Sequence, residues 1–217
     1  LMNFNKLLLK SIRWQLKKLD VRLSRVDETT ESNLHPILPS LGEAYSSNWK
    51  DAEVIFVLST GRVGTETITA ILGGSPEAVV VHEPCPRLIK ASFEAQLKYS
   101  DLDSDYWKDI ILASRDDLVF YANSQGKKYI ETNNRLTYLA PALLNAFPKS
   151  KFIHLHRHPY EVIISGMRRH YYSGHDGDFA RYMPKENDPF YLKWENSTLL
   201  EKTSWYWAST NQYIIDF

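Results

Sequence analysis

The 217-residue chain predicts an α/β domain, a parallel sheet flanked by helices, preceded by a basic amphipathic helix. Three observations predict it. Segments of strand length recur at 54–58, 78–82, 128–132 and 151–156, and the first two read as continuous apolar runs rather than alternating, as strands buried on both faces do. Helix-patterned segments separate them, so strand and helix alternate along the chain. Glycines and prolines such as Gly61, Gly64, Pro84, Pro86 and Pro159 stand at the junctions. Ligands of such a sheet bind at the carboxyl ends of its strands.

In chain order, Leu8, Ile12, Leu16, Leu19, Leu23 and Val26 recur every three or four positions, which makes residues 1–26 an amphipathic helix. It holds seven basic residues against Asp20, a net +6, so the remainder of the neutral chain carries −6. Such a helix can pack on its own domain, lie on an anionic membrane surface or pair with a second copy. Residues 27–52, with Pro36, Pro39, Gly42 and Ser46-Ser47-Asn48, read as a linker. A domain over 53–217 follows: strand 54–58, helix 65–72, strand 78–82, helices 86–99 and 105–124, strand 128–132, helix 138–147, strand 151–156 and helix 160–169. The chain stops within a helical run, so this domain is expected to lack its C-terminal part. Trp205, Tyr206, Trp207 and Tyr213 are read as a buried helix face.

Composition limits the class. Apolar residues at 43 % and charged residues at 24 % are ordinary for a globular protein. No nucleic-acid partner is expected. The single cysteine, Cys85, excludes an internal disulfide, suits a reducing compartment and is expected to be half-buried and inert. No run approaches the roughly 20 apolar residues of a membrane span, and the N-terminus is a poor signal peptide. A cytoplasmic protein, with peripheral membrane contact through 1–26 as an option, is the expectation.

The strand at 54–58 runs into Ser59-Thr-Gly-Arg-Val-Gly-Thr-Glu-Thr67 and then a helix. Free backbone N–H groups, a helix N-terminus and the Arg62 charge make this loop an anion site for a phosphate or sulfate. It lacks the Walker lysine after the last glycine, which argues against a nucleoside triphosphatase, and it lacks the G-x-G-x-x-G of dinucleotide folds. The strand at 151–156 likewise runs into Arg157-His-Pro-Tyr-Glu-Val-Ile-Ile-Ser165, where an Arg fork and a hydroxyl eight residues on can grip a second phosphate.

The two loops in this order resemble those of the sulfotransferases that use 3′-phosphoadenosine 5′-phosphosulfate (PAPS), closer to the carbohydrate and bacterial types, over Glu53 to Arg169. The resemblance implies a P-loop-like fold and a 5′-phosphosulfate site formed by Arg62, Val63, Gly64, Thr65, Glu66 and Thr67. It also implies a 3′-phosphate site at Arg157 and Ser165, and no metal. It departs from the family at Thr132-Asn133-Asn134, where many relatives carry a basic residue; Arg135 is the available substitute. His82-Glu83-Pro84 closes the second strand where relatives carry their base, so Glu83 is the expected catalytic base and His82 the second candidate, with Arg62 stabilising charge. Helix capping is the alternative role for Glu83. The triplet His154, His156, His158 is read as structural or nucleotide-contacting rather than metal-binding, because the third lies beyond the strand. Arg168 to Trp194, rich in arginine and aromatics, is expected to face a hydroxylated small molecule or glycan acceptor. A catalytically silent binding protein recruited through residues 1–26 is the competing reading.

Overall fold

A computed structural model describes residues 52–97 and 101–217. The expected N-terminal helix and all but the end of the linker lie outside the described residues.

Four strands form one parallel sheet: β1 (Val54–Leu58), β2 (Ala78–His82), β3 (Lys128–Thr132) and β4 (Lys151–His154), in the order β2-β3-β1-β4. Burial follows that order. The inner strands β1 and β3 are almost wholly buried, whereas every residue of β2 is half-buried and β4 alternates exposed and half-buried. Inner strands are covered on both faces and paired on both edges, so β1 is an unbroken apolar run and β3 buries Glu131 only by pairing it with Arg115 and Tyr129. The register sets Val57 and His82 on either side of Thr132, and Leu58 beside His154. All four strands therefore end at the same edge of the sheet.

The helices are α1 (Thr65–Gly73), α2 (Ile89–Leu97), α3 (Asp105–Ser124), α4 (Ala140–Ala146), α5 (Pro159–Arg168) and α6 (Leu199–Asp216), with a 3₁₀ turn over Asn134–Leu139. The core gathers Phe56 and Leu58 of β1, Trp107, Ile111 and Val119 of α3, Tyr129 of β3, and Leu136, Leu139, Leu143 and Phe147 around α4. The chain leaves β1 to one side to build β2 and β3 and returns on the other side as β4. This opens the crevice at the end of β1 where such sheets take ligands.

Several expectations need correction. The helix expected over 86–99 starts at Ile89, because Pro84 and Pro86 belong to a loop that turns at Leu88 (φ 56°) and whose carbonyl takes the Ser92 N–H at 2.8 Å. The helix expected over 138–147 is a 3₁₀ turn followed by the shorter α4, since the Asn133 side chain caps Arg135 and starts the turn early. Strand β4 ends at His154, two residues short of the reading, so of the three histidines only His154 is on it. Cys85 is exposed rather than half-buried. In α6, Tyr206 is buried while Trp205, Trp207 and Tyr213 are only half-buried.

Candidate functional site

The first loop is fixed from beneath. Thr137 Oγ1 accepts from the Ser59 N–H at 3.1 Å and donates to the Ser59 carbonyl at 2.9 Å. The buried Tyr206 hydroxyl donates to the Thr60 carbonyl at 2.5 Å, and Ser59 Oγ takes the Gly61 N–H at 3.1 Å. The backbone then turns left-handed at Gly61 (φ 71°), Arg62 (φ 58°) and Gly64 (φ 96°). A side chain on Gly61 would press on Asn134 at 3.2 Å, so glycine is required there for space as well as for conformation. Gly64 caps α1 without a side-chain bond, which leaves the N–H groups of Thr65, Glu66 and Thr67 without intrahelical acceptors, at the positive end of the helix. Val63 is buried, whereas Gly64, Glu66 and Thr67 are exposed.

Arg62 crosses to the second loop. Its Nε donates to Ser165 Oγ of α5 at 3.0 Å, across 103 residues of sequence. Arg157 stands apart from this contact: half-exposed, it pairs with Glu161 at 2.5 Å, while its carbonyl takes the Trp207 indole N–H at 3.2 Å. The Arg157 hydrogen bond and charge hold the Glu161 carboxyl below its ordinary pKa.

His82 and Glu83 are held by Thr132. The Thr132 carbonyl accepts both His82 Nδ1–H at 3.0 Å and the Glu83 N–H at 3.1 Å. A carbonyl only accepts, so the proton of neutral His82 is on Nδ1 and its lone pair on Nε2. Thr132 Oγ1 lies 2.9 Å from the same Nδ1 and 2.5 Å from Thr69 Oγ1, which donates to the Thr65 carbonyl at 2.7 Å. A chain of hydroxyls thus ties His82 to the first turn of α1.

One cleft of about 200 Å³ collects these groups: Arg62, Thr65, Glu66, His82 and Glu83, joined by Arg87, Arg135, Arg181 and the tyrosines 171, 172, 182 and 206. Arg157, Ser165 and Thr67 are not among the residues lining it. Arg62, Glu83 and Tyr172 all line it with positive φ, a strain that structures retain where a site requires it. Arg135 is anchored by donating to the Ala180 carbonyl at 3.0 Å; Arg181 pairs with Asp178 and lies over the Tyr171 ring at 3.4 Å. Burial raises the Asp178 carboxyl, but the Arg181 hydrogen bond, the Tyr172 and Gly174 N–H groups and the Arg181 charge outweigh it and leave its pKa lowered. Burial also keeps the Tyr172 and Tyr206 phenols protonated, each donating to a backbone carbonyl.

The model of the sulfotransferase family matches residues 54–198, a span that contains all four strands and both loops. The chain belongs to the sulfotransferase family. Comparison with curated proteins and with solved structures returned no match. The parallel sheet flanked by helices is the α/β arrangement of this family.

Two features of this sulfotransferase escaped sequence reasoning. Arg87 follows the second strand by five residues without motif company, and Tyr206 was assigned only to a buried helix face although it also lines the cleft. Thr132, noted only as a departure from the family pattern, carries a contact that the strand register alone reveals. His154 Nε2–H donates to Asn211 Oδ1 at 2.8 Å, and among the described residues no group of three His, Cys, Asp or Glu could hold a metal. No helix of the described residues is long and apolar enough to cross a membrane.

Proposed function

We propose that the chain transfers a sulfuryl group from PAPS to a hydroxyl of an acceptor, with a carbohydrate or glycoconjugate as the favoured class. The observation that carries this reading is the Arg62–Ser165 contact, which joins the turn after β1 to the helix after β4. The donor set fits a phosphosulfate nucleotide: consecutive free N–H groups at a helix start, the Thr65 and Thr67 hydroxyls and the Arg62 guanidinium. Arg157 and Ser165 would take the 3′-phosphate. When bound, PAPS supplies a sulfuryl group on a good leaving group.

The residues' own task is to orient and to move one proton. Arg62 and Arg135 place positive charge where negative charge develops, at fixed positions that need no rearrangement. Glu83, among the residues lining the cleft, takes the acceptor hydroxyl proton on its carboxylate. His82, with its lone pair fixed on Nε2 by Thr132, is the second group able to do so. Arg87 remains for an acceptor with its own anionic group.

Transfer of labelled sulfate from PAPS to a panel of glycans and small alcohols tests this. Glu83→Gln is expected to lower turnover by about 10²- to 10⁴-fold while affinity for 3′-phosphoadenosine 5′-phosphate stays within twofold. Full turnover in that variant moves the base to His82, and no nucleotide binding by the wild type overturns the reading.

A further inference from the structure

His82 lines the cleft, and the hydrogen bonds behind its ring run in one direction only. The direction starts from a carbonyl. Thr69 Oγ1 lies 2.7 Å from the Thr65 carbonyl, which can only accept, so Thr69 gives its one hydroxyl proton there. Its 2.5 Å contact with Thr132 Oγ1 therefore takes its proton from Thr132. The Val81 carbonyl, 3.4 Å from the same oxygen, is the weaker claimant on that proton. With it committed, Thr132 Oγ1 accepts from His82 Nδ1–H at 2.9 Å. Both the hydroxyl and the carbonyl of Thr132 thus place the proton of the neutral ring on Nδ1.

Strand register makes this possible, because it pairs His82 with Thr132, a residue with no solvent exposure. Thr69 stands one helical turn beyond Thr65 in α1. The two ring partners are neutral, and among the described residues no carboxylate is hydrogen-bonded to the imidazole. Such partners fix tautomer and aim, the part of an orienting group's work that needs no charge. Nε2 is the ring nitrogen left to the cleft, as an acceptor of hydrogen bonds. The other end of the chain is Thr65, whose N–H opens α1 in the anion-type loop. One run of hydrogen bonds therefore joins the helix start that suits the sulfuryl donor to an imidazole that can meet the other substrate.

We infer that Thr132, locked by Thr69, is a positioning residue: it holds His82 Nε2 as a fixed acceptor for an O–H of the molecule to be sulfated, at a set place relative to the donor loop. The role rests on the sulfuryl-transfer reading, which supplies that molecule. It stands beside Glu83 as base, because a substrate with several hydroxyls can present a different one to each.

The test joins ring ¹⁵N NMR of the full chain, with His82 assigned by the loss of its signals in His82→Asn, to kinetics with PAPS and the best substrate of the panel. The neutral His82 of the wild type is expected to carry its proton on Nδ1. Thr132→Val is expected to lower kcat/KM for the sulfated substrate by about tenfold, the upper worth of one hydrogen bond, with KM for PAPS within twofold. Thr132→Ser, which keeps the hydroxyl, should restore it. A proton on Nε2 in the wild type, kcat/KM within twofold in Thr132→Val, or no rescue by serine overturns the inference. Should Thr132→Val fail to fold, Thr69→Val decides: it frees the Thr132 proton to turn towards Nδ1, so both kcat/KM and the share of rings protonated on Nδ1 must fall. A wild type that transfers no sulfate, yet shows the Nδ1 proton, overturns the sulfuryl-transfer reading rather than the hold of Thr132 on His82.

Discussion

Arg62 commits its Nε to Ser165, and Arg157 commits its own to Glu161, so the two cations that the loops supply are differently placed. Glu161 competes directly with any anion for Arg157. Glu161→Gln is therefore expected to tighten 3′-phosphoadenosine 5′-phosphate binding by up to about fivefold, the worth of an exposed ion pair; calorimetry checks it. Lys185 is a second residue-scale case. Burial lowers its pKa from 10.5 to about 8. At pH 8 about half of it is neutral amine, against about 0.3 % for an ordinary lysine. Limited acetylation at pH 8 with peptide mass mapping should find Lys185 modified ahead of the other described lysines. The same shift means that the unfolded chain holds this proton more tightly, so its contribution to stability rises as pH goes from about 8 towards 10.5. The motif around Arg62 and Ser165 was legible from residue types and spacing. Their mutual contact was not, because spacing within each loop says nothing of the distance between loops.

Among the elements, α5 and α6 pack through Gly166. A Cβ there would lie 3.0 Å from Thr203 Cγ2 of α6 and 3.0 Å from the Tyr171 ring. Gly166→Ala is expected to cost about 1–3 kcal/mol by overpacking, more than alanine's better helix propensity returns, as read by chemical denaturation. Because α5 carries Ser165, nucleotide affinity should fall in the same variant. The strands were readable to within a residue or two, since β1 and β2 leave short unbroken apolar runs and helix-patterned segments separate all four. The helix after β2 was not: Pro84 and Pro86 suggested a first turn there, yet the chain spends them on the loop that presents Glu83. That loop is set by tertiary contacts, among them Arg115 donating to the Pro86 carbonyl at 3.0 Å.

For the molecule as a whole, the buried Arg115–Glu131 pair is the most exposed liability. Neither side chain reaches solvent. Glu131 accepts from Arg115 Nε at 2.6 Å and its terminal nitrogen at 2.9 Å, from the Tyr129 hydroxyl at 2.7 Å, and from Asn133 Nδ2 at 3.0 Å. Burial first, and then the Glu131 charge and hydrogen bond, drive the Tyr129 pKa far above its usual value, so this phenol stays a donor. Arg115→Met leaves an unpaired carboxylate in the core and is expected to cost about 3–5 kcal/mol in global stability. Arg115→Met with Glu131→Gln should recover most of that loss, because a neutral amide still meets Tyr129 and costs far less to bury. Denaturant midpoints of the three proteins decide it.

The sequence by itself determined the α/β class, the four strands and the two anion-type loops, because periodicity, glycine placement and charge are local properties that short windows of chain express. Only the tertiary structure decided which loops share a cleft, which histidine nitrogen carries the proton and where Arg87, Arg135 and Arg181 converge. Those facts depend on strand order and register, which bring Thr132 beside His82 and Ser165 within reach of Arg62. Packing sets such distances, and no residue-by-residue pattern records them.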